Sequence, residues 1–191
     1  MQKYNGISFA DFNQNTSVLR DANGSRTTEY EMPSGNTTPR DFAELFSENY
    51  SSSLKDFVMT HDVIIIKSCY PNSNIKSAEE LQTIKNYYRS IAAFFARRPD
   101  KQLIIMTSPP LIPLLTTNQN AVRAHELATW LSLEDFGTNT RVFNFFDLLA
   151  ADSNRHANML RRDYRRLLPF DAHPNKLASQ TIAPKLVKFI L

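Results

Sequence analysis

The stretch Asp171-Ala-His173-Pro-Asn175 brings together the residue types an acid/base pair requires. A carboxylate beside an imidazole fixes the ring tautomer and stabilises the imidazolium, while the other ring nitrogen takes a proton from a nucleophile. Pro174 restrains His173 to extended or turn backbone. The competing reading is a surface loop in which Asn175 only caps the next helix. A second stretch, Lys67-Ser-Cys-Tyr-Pro-Asn-Ser-Asn74, directly follows an apolar run. The side-chain amides of Asn72 or Asn74 could donate to a developing oxyanion there, although the same composition suits a plain turn. Cys69, the single cysteine, could act as a nucleophile if His173 reached it; a small buried apolar residue is the preferred reading. One cysteine leaves no internal disulfide and no Cys-rich zinc site. His61, His125 and His156 have no partners at metal-ligand spacing, so no metal site is expected.

Arg155, Arg161, Arg162, Arg165 and Arg166 form a basic, helix-like stretch relieved by Asp152 and Asp163. Such a run could bind phosphates, with Tyr164 stacking on a base, but it reads first as a solvated face, which weighs against a nucleic-acid partner. Beside the Asp171–His173 loop it could also draw an anionic substrate, such as an acidic polysaccharide ester, to a cleft mouth. Across all 191 residues, 22 Lys and Arg face 19 Asp and Glu, a surplus of only +3. A hydrophobic share of 42% excludes a disordered or collagenous chain. Four glycines cannot assemble a phosphate loop or a dinucleotide fingerprint. No apolar run reaches the roughly 20 residues of a membrane span, and MQKYNGISFADF lacks the charged start and apolar stretch of a signal peptide. The place where the protein works in or outside the cell, and its oligomeric state, are not legible.

Elements that would position these groups begin near residue 60. Asp62 to Ser68 is a β-branched apolar run expected to be a strand buried on both faces. Ser77 and two glutamates open an amphipathic helix to about Arg98, and Gln102 to Thr107 reads as a second buried strand. A helix from about Asn120 to Leu133, a strand from Arg141 to Phe146 and a last helix from Asn175 to Leu191 complete the pattern. Alternation of this kind implies βαβ units: an α/β fold, a three-layer α/β/α sandwich around a mostly parallel sheet. Ligands then bind beyond the carboxyl ends of the strands. Residues 1–191 read as one domain, with 1–59 irregular apart from a short helix from Pro39 to Phe46, and 60–191 as the regular core.

Together these pieces resemble the SGNH/GDSL-type hydrolases, esterases and acetylhydrolases of the α/β/α class. Asp62 to Asn72 resembles the strand and loop that bear the family's Asn. Asp171-Ala-His173-Pro-Asn175, with Ala178 and Ala183 after it, resembles the block that bears its Asp and His, and Ser108-Pro-Pro110 its proline-bearing loop. The resemblance covers 60–191 well and the first sixty residues poorly. Asp and His are spaced one residue closer than the family's usual Asp-x-x-His, leaving Phe170 at the usual acid position, and Gly-Asp-Ser is absent. The resemblance implies Ser8, in Gly6-Ile-Ser8, as nucleophile, His173 as base and then acid, and Asp171 as its orienting carboxylate. It further implies Asn72 and the backbone amide of Gly35 as oxyanion donors, with no metal or organic cofactor. The implied reaction removes acetyl or short acyl groups from a carbohydrate or similar small ester. The alternative is a relative that has lost the nucleophile and binds a ligand or partner in the same cleft.

Overall fold

The structure is a computed structural model. It describes residues 11–13, 18–20, 26–29, 32–33, 37–152, 155–168 and 170–191, the first three stretches as backbone only. Three short strands, β1 (Asp11–Asn13), β2 (Val18–Arg20) and β3 (Arg26–Glu29), pair antiparallel in the order β1-β2-β3. This corrects the expectation of an irregular start: strands of three and four polar-rich residues are too short to show a period. Two short helices follow, α1 (Pro39–Leu45) and α2 (Ser53–Val58). Thr38 and Asp41 cap α1 reciprocally, and Ser52 caps α2 by accepting from the Lys55 amide.

The regular core consists of β4 (Val63–Lys67), α3 (Ala78–Ala96), β5 (Gln102–Met106), α4 (Asn118–Leu133) and β6 (Thr140–Phe143). β4, β5 and β6 form an open, all-parallel sheet in that order, with Ile65 opposite Ile104 and Ile105 opposite Val142. Parallel neighbours need a crossover, and α3 and α4 supply the two. Ser77 caps α3 and Thr117 caps α4, each hydroxyl accepting from the amide three residues on. Ile64, Ile66, Leu103 and Ile105 point to one side and join Phe46, Tyr88, Ile91, Phe94, Phe95 and Leu131 in a single core. Ile104 and Phe143 face the other way, into a second core with Leu149, Leu160, Ala172, Ala178 and Ile182. Helices and core thus cover both faces, an α/β sandwich as expected.

β4 departs from its expected burial. Val63 and Ile65 remain 40% and 41% exposed while Ile64 and Ile66 are buried. The last helix, α6 (Lys176–Ile190), packs on the β5 and β6 side: Arg141 donates to the Phe189 carbonyl and stacks on its ring, which also meets Phe143. The second layer therefore leaves one half of the outer strand uncovered. The third strand also ends sooner than its apolar run suggested. Asn144 accepts from the Asp147 amide at 3.2 Å and donates to the Asp147 carboxylate at 2.7 Å, opening α5 (Phe145–Leu149) within the expected strand. Asp147 is thus part of a helix cap, with His125 Nε2 at 3.4 Å from its other oxygen. The basic stretch is not helical: turns, an Ala150–Leu160 bridge and one 3₁₀ turn at Arg162–Tyr164 carry it.

Candidate active site

Asp171 and His173 meet through a local turn. The Asp171 Oδ1 accepts from the His173 backbone amide at 2.8 Å and lies 2.6 Å from its Nδ1. An aspartate bonding the amide two residues ahead is an Asx turn, and here it folds the imidazole back onto the same oxygen. The Asp-x-His spacing is therefore sufficient without the longer family spacing. Phe170, at the position the longer spacing would give to the acid, is 70% exposed. Ala172, between the pair, is fully buried in the second core and pins the loop to the sheet while its neighbours stay near the surface. Arg166 Nη1 donates to Asp171 Oδ2 at 3.2 Å. The two bonds from His173 hold the Asp171 carboxyl below the usual carboxylate range, and the Arg166 charge adds to them. An ionised carboxylate only accepts, so the proton sits on Nδ1 of the neutral ring and Nε2 offers its lone pair. Among the described residues nothing bonds Nε2.

Asn175 holds this loop at both ends. Its Oδ1 accepts from the Ala178 amide at 3.1 Å, capping α6, while Nδ2 donates to the carbonyls of Asp163 at 2.8 Å and Arg165 at 3.0 Å. The helix-cap reading of Asn175 and the acid/base reading of its neighbours thus coexist.

The imidazole is reached from the sheet as well. Tyr70 sets its ring edge-to-face against His173, with centroids 4.8 Å apart at 86°. Tyr70 opens the 3₁₀ turn Tyr70–Ser73 beyond the carboxyl end of β4, where an α/β sheet presents ligands. The buried Ser73 hydroxyl donates to the Pro109 carbonyl at 2.8 Å, locking this turn to the loop after β5. Asn74 accepts from Thr116 at 3.1 Å and from Asn120 at 2.9 Å, so it staples the turn to α4. Asn72 stands on the same turn with its Nδ2 donating to the Cys69 carbonyl at 3.2 Å. Cys69 is half-buried beside Tyr70. Ser68 and Ser108 lie in the core beside the Tyr88 phenol, whose pKa burial pushes up, so neither offers its hydroxyl to solvent. Ser8 and Gly35 lie outside the described residues.

Beside the pair is a cleft of about 270 Å³. Ile112, Pro113, Leu114 and Leu168 make its apolar wall; Arg165, Arg166, His156 and Asp171 make its polar side. Sequence reasoning passed over Tyr70 and the two leucines. No spacing rule joins Tyr70 to a histidine at the far end of the chain, and single leucines in loops carry no period. No group of three or more His, Cys, Asp or Glu among the described residues could hold a metal ion, and no helix there is long and apolar enough to cross a membrane.

No family model matches this chain, and neither a curated protein nor a solved structure does.

Proposed function

We propose that the protein is a serine ester hydrolase of the SGNH type, acting on a small or carbohydrate-borne acetyl or short-acyl ester. The observation that carries this reading is the 2.6 Å contact between Asp171 and His173 Nδ1, which leaves Nε2 unengaged among the described residues, while Asp171 itself lines a cleft beyond the carboxyl ends of the parallel strands. In the reaction His173 Nε2 takes the proton of the attacking hydroxyl, assigned to Ser8, as oxygen bonds to the ester carbonyl carbon. Asp171 stabilises the imidazolium, which then returns the proton to the departing alcohol. Water repeats the cycle on the acyl-enzyme and releases the acid. Asn72 and the Gly35 amide are the assigned donors to the oxyanion. The chemistry needs no cofactor.

The test is hydrolysis of p-nitrophenyl acetate and butyrate by wild type, Ser8→Ala and His173→Ala. Both variants are expected to lose at least about a thousandfold in kcat/KM. If His173→Ala alone is inactive, Ser8 is not the nucleophile. Wild type at the buffer rate, with no serine labelled by a fluorophosphonate, overturns the enzyme reading. The second reading, a binding relative without a nucleophile, draws on the Asn72 amide, which donates into its own turn. That reading predicts the inactive, unlabelled outcome.

A further inference from the structure

The charges around the cleft do not balance. Asp171 is committed, one oxygen to His173 and the other to Arg166. Asp163 is committed to Arg161 at 2.8 Å. Arg165 is half-buried and held by Nε, which donates to the Leu160 carbonyl at 2.7 Å, and it has no carboxylate partner among the described residues. Burial and the nearby Arg162 charge both disfavour its positive form. A half-buried guanidinium facing a second cation is an unfavourable arrangement that an anion would relieve. The same cleft is lined by Leu114 and Leu168, 62% and 66% exposed. Apolar side chains left open on the wall of a concave site gain from an apolar ligand.

We propose that this cleft binds a small amphipathic anion, a short alkyl group ending in a phosphate or carboxylate, with Arg165 taking the charge and Leu114 and Leu168 the alkyl arm. The assignment of that anion to the ester substrate or its released product rests on the hydrolase reading, while binding itself does not. A cleft of about 270 Å³ has room for a ligand of butyl phosphate size. Arg165 holds the charged head of the ligand here. Its planar guanidinium can give two parallel bonds to one phosphate or carboxylate, which lysine cannot.

Calorimetric titration with n-butyl phosphate, pentanoate, inorganic phosphate and 1-butanol tests the proposal. Butyl phosphate or pentanoate is expected to bind at least about tenfold more tightly than either half-molecule, inorganic phosphate or butanol. The two anionic arms separate a phosphate head from a carboxylate. Arg165→Gln should weaken the better ligand by roughly tenfold or more. Leu114→Ser, on an exposed side chain whose loss cannot unfold the chain, should weaken it by several-fold and leave inorganic phosphate unchanged. Inorganic phosphate binding as tightly as butyl phosphate, an Arg165→Gln protein that folds and binds like wild type, or no binding at millimolar ligand each overturns the proposal. Tight binding without esterase activity sinks the hydrolase reading alone, and esterase activity without binding sinks only this one.

Discussion

The two faces of the parallel sheet are built differently. On one, β4 and β5 send alternate isoleucines and leucines into regular helices, and side chains such as Phe94, Phe95 and Ile91 are wholly enclosed. On the other, only α6 is a long helix; beside it stand the short α5 and, among the described residues, turns and loops around Leu111, Ile112, Leu160, Tyr164 and Ala172, held by carbonyl acceptors and side-chain amides. Regular helices satisfy their own backbone and free the side chains for packing. Irregular chain has to find its hydrogen-bond partners one by one, and here it leaves Leu167, Leu168 and Phe170 exposed. The first face holds the more regular core, and the second carries the Asp171–His173 pair and the cleft.

Four substitutions away from Asp171 and His173 probe that contrast. The largest effect is expected within β4. Ile66→Ala should cost about 2–5 kcal/mol of unfolding free energy, because it empties a closed core. Ile65→Ala, one residue along on the uncovered side, should cost less than about 1 kcal/mol. Equal losses in urea denaturation would mean that the outer half of β4 is covered in solution. Asn175→Ala comes next. Loss of the α6 cap should cost about 1 kcal/mol, and freeing the chain at Asp163 and Arg165 should reduce the proposed ester hydrolysis several-fold at temperatures well below melting. Lowered stability with an unchanged rate would show that the pair does not depend on this tie.

The smallest effect concerns the far end of α3. Arg98 and Arg97 bond Glu48 and lower its pKa from the usual 4.5 to about 2. A carboxyl with a lowered folded-state pKa stabilises in full above its unfolded value and loses that contribution as pH falls through the folded one. The gap in melting temperature between wild type and Glu48→Gln should therefore be greatest above pH 4.5 and close towards pH 2. Added salt should narrow it at any pH, because the pair is exposed. A gap constant over this range would remove the ion pair as its cause.

Sequence legibility followed the same division. α3, α4 and β5 carry periods or apolar runs that match their burial, and each was expected within a few residues of its place. The cap of α5 was readable in principle, since Asn144 and Asp147 have N-cap spacing, but the run Phe143 to Phe146 reads more strongly as strand. The Asp171–His173 contact was legible because it is local. The apposition of Tyr70 and the meeting of Leu114 with Leu168 in the cleft depend on tertiary placement, which no window of sequence carries. The exposure of Ile65 has the same origin: it depends on which strands are packed over, not on the composition of β4.

The Tyr70–His173 contact also separates two kinds of constraint on one ring. The Asx turn at Asp171 closes over three residues and settles which imidazole nitrogen carries the proton. Placing that imidazole against Tyr70 joins positions roughly a hundred residues apart, a closure that costs more chain entropy than the turn does. The proton arrangement of the ring is therefore a local property, and its place against Tyr70 belongs to the whole fold.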